Sequence, residues 1–118
     1  DFYSDIYKLL NEDGVVVSQG ESCWYDPDMQ KKLLTILNQK FSKVGIYNFN
    51  NLTYPGGLWS FTFASKKYDP ILDFNAGRAE KSGLEFRYYN SSIHRGAFCL
   101  PQFMSDNLRG LINLGSKS

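Results

Sequence analysis

With 118 residues, 42% of them hydrophobic and 16% aromatic, the chain has the composition of one small globular domain and lies outside the disordered and collagen-like classes. Thirteen Lys and Arg stand against twelve Asp and Glu, a formal charge of +1 with no basic block, so the charge pattern offers no case for nucleic acid or an anionic membrane. No apolar run approaches the roughly 20 residues that span a bilayer, and Asp1-Phe2-Tyr3-Ser4-Asp5 lacks the basic start and apolar middle of a signal peptide, which makes the cytoplasm the expected location.

Phe2, Ile6, Leu9 and Leu10 fall at helical spacing ahead of Asp13-Gly14, so residues 1 to about 11 read as the end of an amphipathic helix. Val15-Val16-Val17, bounded by Gly14 and Gly20, fits a strand buried on both faces, as in a parallel sheet, with its parallel neighbour missing from the chain, and its carboxyl end runs into Ser18-Gln19-Gly20-Glu21. Asp26-Pro27 is a helix start, an acidic cap before a proline at the first helical position. The helix that follows carries an apolar stripe of Met29, Leu33, Leu34, Leu37 and Phe41, with Lys31, Lys32, Asn38 and Lys40 on its wet side.

Residues 43 to 52 alternate, with Val44, Ile46 and Asn48 on one face and Tyr47 and Phe49 on the other. Pro55-Gly56-Gly57 reverses the chain, and residues 58 to 65, with Trp59, Phe61 and Phe63 alternating against Ser60, Thr62 and Ala64, complete a hairpin. Helix, strand, helix, strand, strand is half of an open α/β sheet with an antiparallel edge. Beyond Lys66-Lys67 the pattern weakens: a short helix over 75 to 82, an irregular aromatic-rich stretch over 84 to 101, and a final helix over 101 to 114. No repeat or domain boundary interrupts the chain. Cys23 and Cys99 lie far apart without metal-ligand spacing and are expected as free thiols.

Gln19 and Glu21 sit at the carboxyl end of a strand, where open α/β sheets place their ligands, and Tyr54 and Trp59 flank the Pro-Gly-Gly turn. A lone histidine, His94, with no neighbouring Cys or acidic constellation is expected to serve structure. Three segments then become specific in combination: Gln19-Gly20-Glu21-Ser22-Cys23-Trp24; Thr53-Tyr54-Pro55-Gly56-Gly57-Leu58-Trp59-Ser60-Phe61 with Ala64-Ser65-Lys66; and Arg87-Tyr88-Tyr89-Asn90 with His94 and Ala97-Phe98-Cys99-Leu100-Pro101. In this order the chain resembles the spermidine synthase (polyamine aminopropyltransferase) family along nearly its whole length.

The resemblance implies the carboxy-terminal half of a Rossmann-like, methyltransferase-like sheet, with residues 1–118 forming the carboxy-terminal part of the catalytic domain. It implies transfer of an aminopropyl group from decarboxylated S-adenosylmethionine to putrescine, giving spermidine and methylthioadenosine. Tyr54 would reach the attacking amine, Gln19 and Glu21 would face the far end of the diamine, and Trp59 would wall its aliphatic stretch. A full member of the family also has an amino-terminal β domain, a Gly-rich loop, an acidic residue on the ribose and a catalytic Asp, none of which this chain carries.

No residue here is therefore assigned catalysis or metal binding, and no cofactor is expected, because decarboxylated S-adenosylmethionine is a co-substrate held mainly by the absent part. The chain opens on Asp1 rather than Met, so the natural polypeptide is expected to start earlier, with the chain inactive alone and completed by the remainder of the enzyme or by another copy in a homo-oligomer. The rival functions are a non-catalytic companion subunit, an enzyme for another amine such as cadaverine, agmatine or spermidine, and a small-molecule methyltransferase on the same fold.

Overall fold

A computed structural model describes residues 2–54 and 56–115; Asp1, and Pro55 within the expected reversal, lie outside the described residues. The elements in order are α1 (Phe2–Leu9), β1 (Val15–Gln19), α2 (Pro27–Asn38), β2 (Lys43–Asn50), β3 (Leu58–Ser65), α3 (Ala76–Lys81), α4 (Ser91–Ala97) and α5 (Gln102–Asn107). The strands form one sheet in the order β1-β3-β2, with β3 central and antiparallel to both neighbours. The expected hairpin is present, with Lys43 opposite Ser65 and Asn50 opposite Leu58.

Among the described residues β1 pairs antiparallel with β3 and no strand lies on its other edge, the arrangement expected of a strand that lacks its parallel neighbour, and Val15 and Val17 remain 42% and 46% exposed. A β-branched run signals extended backbone, but not which strands flank it or in which direction. In α2, Met29 is exposed and Gln30 takes the inward position, so the buried line runs Gln30, Leu34, Leu37 and on to Phe41. That spacing of four, three and four is the helical period, and it keeps Leu34, Leu37 and Phe41 of the expected stripe, with Leu33 half-buried beside them and the first inward position moved from Met29 to Gln30.

Residues paired across antiparallel strands point to the same face. One face of the sheet therefore presents Val16, Ser18, Ser60, Thr62, Ala64, Val44 and Ile46, and α2 and α5 cover it. Leu34, Leu37, Val44, Ile46, Ala64, Met104 and Leu108 are all at most 1% exposed, and each large aliphatic among them is worth about 1.5–3 kcal/mol of burial. The other face carries Val17, Gln19, Trp59, Phe61, Phe63, Tyr47 and Phe49, against which α4 packs through Phe98, 5.3 Å from Tyr47. Aliphatic and small polar residues rather than aromatics thus make the tightly packed face.

The carboxy-terminal region departs further from expectation. The stretch over 84 to 101 is not irregular throughout: it contains α4, capped by the Asn90 side chain accepting from the Ile93 amide at 2.8 Å. The final helix is shorter than 101 to 114, ending at Asn107, with Gly110 at φ +82 in the turns that follow. His94 is structural, as expected. Its Nε2–H donates to the Pro70 carbonyl at 2.8 Å, which leaves Nδ1 to accept from the Tyr89 hydroxyl at 2.8 Å, while the ring stacks on Phe74 at 3.7 Å. Both cysteines are free; burial raises the Cys23 thiol pKa, opposed by a backbone amide.

Candidate functional site

All four site residues expected from the sequence lie at one end of the sheet, where β1 ends and β3 begins. Gln19, the last residue of β1, is exposed and registers with Phe61, so its side chain leaves the sheet on the same face as Phe61 and Trp59. The chain then turns sharply at Gly20. A Cβ there would lie 2.6 Å from Ser60 Oγ, so only glycine permits the Gly20 amide to donate to the Ser60 carbonyl at 2.8 Å.

Glu21 follows with φ +65, a left-handed conformation that costs a side-chain-bearing residue about 1–2 kcal/mol. Its carbonyl is held by two donors, Ser60 Oγ at 2.8 Å and Gln30 Nε2 at 3.4 Å. Its side chain is half-buried, and among the described residues the carboxylate has no hydrogen-bond or ion-pair partner. Ser22 then accepts from the Trp24 and Tyr25 amides at 3.1 and 3.3 Å, folding residues 22 to 26 into a compact turn ahead of α2. The helix does start at Pro27, but Asp26 makes no side-chain capping bond, contrary to expectation; the Ser22 hydroxyl is what organises the entry.

The β2–β3 turn comes up against this loop. Gly56 has φ +87, and a Cβ on it would stand 3.1 Å from the Tyr25 ring, so the turn and the loop touch. Tyr54 is 46% exposed and packs on Trp59 with ring centroids 4.8 Å apart and planes at 48°, while Trp59, half-buried, pairs across the hairpin with Phe49. Trp24 packs on Phe103 at 4.6 Å, which fixes the outer wall of the loop. An apolar cavity of about 300 Å³ opens further along the same face, lined by Val17, Tyr47, Phe63, His94 and Phe98 among others and by none of the four site residues.

The loop brings a carboxylate and an amide, and the adjoining turn a phenol and an indole, to the same end of the sheet. Such a set suits a cationic, flexible ligand with an aliphatic middle: the carboxylate pairs an ammonium group and the rings cover methylene groups. Gln30 and Ser60 were missed from sequence. The available signal was a glutamine in line with Leu34, Leu37 and Phe41, a polar residue in the helix's buried stripe.

Residues 1–76 match the spermine/spermidine synthase domain. The polyamine aminopropyltransferase of Clostridium beijerinckii is 43% identical over 113 residues, covering 94% of this chain and 40% of that protein. The polyamine aminopropyltransferase of Bacillus subtilis is 38% identical over 108 residues, covering 92% and 38%. The crystal structure of spermidine synthase from Thermotoga maritima superposes with a TM-score of 0.86 at 38% identity, covering 91% of this chain and 38% of that one. A spermidine synthase in complex with the transition state analogue AdoDATO gives the same TM-score, 0.86, over 91% of this chain. The chain thus has the Rossmann-like fold of these enzymes and spans about two fifths of the length of the curated relatives it matches, 40% for the Clostridium beijerinckii protein.

Proposed function

This chain belongs to the spermine/spermidine synthase family, and from that premise we propose that it supplies part of the polyamine-binding wall of a putrescine aminopropyltransferase. The reaction moves an aminopropyl group from decarboxylated S-adenosylmethionine to putrescine. The neutral amine nitrogen attacks the methylene carbon beside the sulfonium, the carbon–sulfur bond breaks, methylthioadenosine leaves with the electron pair, and the amine's proton passes to a base. The donor pocket and that base belong to the polypeptide that completes the enzyme.

One observation carries this reading: the Gln19–Glu21 loop and the Tyr54–Trp59 turn meet at the same end of the sheet, joined through Ser60 and through the contact of Gly56 with Tyr25. In the proposed complex Glu21, with Gln19 beside it, pairs with the ammonium that stays charged, Tyr54 meets the attacking amine, and Trp59 covers the carbons between. Fixing the distal ammonium decides which end of the diamine reacts.

The chain is completed by the remainder of the enzyme or by a second polypeptide. Two facts support this: the two-fifths share of its relatives' length, and an outer β1 edge whose exposed Val15 and Val17 have no strand beyond them among the described residues. The test is an assay of methylthioadenosine and spermidine formation by the chain alone and by the chain joined to its amino-terminal complement. The chain alone should give no product, and the joined protein should turn over putrescine. Turnover by the chain alone, or a joined protein that binds polyamine yet forms no spermidine, overturns the reading, the second outcome in favour of a companion subunit.

A further inference from the structure

We infer that Gln30 and Ser60 are positioning residues for the amine, acting through the Glu21 peptide; the inference rests on the proposed polyamine site and adds to it how that site is held. Gln30 is 1% exposed and Ser60 2%, and neither lies where a substrate could touch it. Gln30 Nε2 donates to Ser60 Oγ at 3.0 Å and to the Glu21 carbonyl at 3.4 Å. Ser60 Oγ, accepting from Gln30, spends its own proton on the same carbonyl at 2.8 Å. The hydroxyl's direction is therefore determined, and one backbone oxygen is clamped by two donors from two different elements, α2 and β3.

What the clamp holds is the residue in the left-handed conformation, Glu21 at φ +65. A side-chain-bearing residue leaves that conformation readily unless its surroundings over-determine it, and leaving it swings the Cα–Cβ bond away from its present direction. Buried polar groups are costly in a helix–sheet interface, yet here a glutamine replaces an aliphatic in the inward stripe of α2 and a serine sits opposite it. The Gln30 Nε2 and the Ser60 hydroxyl are satisfied by the Glu21 carbonyl and by each other. The arrangement makes sense as a device that aims one carboxylate: among the described residues no other hydrogen bond ties the Glu21 peptide to the interior, and its carboxylate has no hydrogen-bond or ion-pair partner.

The test uses the complete enzyme and four proteins beside wild type: Gln30→Met, which keeps volume without hydrogen-bonding groups, Ser60→Ala, Glu21→Gln, and the double variant Gln30→Met with Glu21→Gln. Gln30→Met and Ser60→Ala should each raise KM for putrescine about three- to tenfold, with KM for the aminopropyl donor unchanged. The Gln30→Met effect should vanish when Glu21 is already Gln, because a positioning residue has nothing left to aim. If Glu21→Gln leaves KM for putrescine unchanged, the carboxylate's role falls and the positioning role falls with it. If Glu21→Gln raises KM while Gln30→Met and Ser60→Ala do not, or if the two effects add in full, the positioning role alone is overturned. Should Gln30→Met fail to fold, Ser60→Ala, which removes a single oxygen, and its double variant with Glu21→Gln carry the same comparison.

Discussion

At the Lys43 end of the sheet the Asp69 carboxylate has used both of its oxygens, whereas at the Gln19 end the Glu21 carboxylate has used neither among the described residues. Asp69 is 2% exposed; Oδ1 accepts from the Ile71 and Leu72 amides at 2.8 and 2.9 Å, and Oδ2 accepts from the Gly115 amide at 2.8 Å and faces Lys43 Nζ at 3.4 Å. One acid ties three segments of chain together. The other is tied only by its backbone, and its charge remains available. A buried acid whose lone pairs are all committed does structural work, while a half-buried acid on a strained, clamped peptide is poised for something that arrives.

The comparison breaks hardest at the structural end. Asp69→Ala leaves three amides and an ammonium without their acceptor and should lower stability by about 3 kcal/mol, a drop in melting temperature on the order of 10 °C, read by calorimetry of the complete enzyme. The pH dependence follows the same geometry. Burial opposes ionisation of Asp69, but the amides of Leu72, Gly115 and Ile71 and the Lys43 ammonium more than offset it, so its pKa lies below the ordinary carboxylate value. A depressed acid contributes stability that is fully present above the unfolded-state pKa, about 3.9, and is lost as pH falls through the lower folded-state value. Asp69→Asn should therefore flatten the acid limb of the stability curve; an unchanged limb would show that the clamp is not what holds this end.

At the site end the expected effects are smaller in stability and larger in binding. Gly56→Ala places a methyl 3.1 Å from the Tyr25 ring on a backbone at φ +87, and Tyr25 is 62% exposed and can move aside. The backbone strain remains, about 1–2 kcal/mol, so the melt should fall by a few degrees while KM for the diamine rises as the turn that carries Tyr54 shifts. A lower melt with unaltered KM would separate the turn from the site.

How much of this was legible in the sequence follows the same division. α2 and the β2–β3 hairpin could be read because their periods are long and their boundaries carry Asp26-Pro27 and the Pro-Gly-Gly turn. The antiparallel pairing of β1 with β3 could not, since three valines look alike whichever strand lies beside them. α4 was hidden because its seven residues are too few to show a period amid aromatics, although Asn90-Ser91-Ser92 is a capping signal. Gln19, Glu21, Tyr54 and Trp59 stood out by resemblance and by strand-end position. Gln30 and Ser60 did not, because their role arises from a contact across 30 residues of sequence that no local pattern encodes.

The smallest expected effect concerns Trp59, which separates ring packing from substrate fit. Its ring lies on the face of the sheet away from the α2–α5 core and is half-buried, so Trp59→Ala removes packing against Tyr54 without opening the main hydrophobic core. If the ring limits the length of the slot, its removal makes room for one more methylene, and the preference for putrescine over cadaverine in kcat/KM should fall about fivefold, near 1 kcal/mol, a typical value for one methylene in an apolar pocket. The competing expectation is that both amines lose kcat/KM equally because Tyr54 is left unsupported. A changed ratio assigns Trp59 to the substrate, whereas an unchanged ratio with a general loss assigns it to the Tyr54 turn and moves the determinant of chain length to the completing polypeptide.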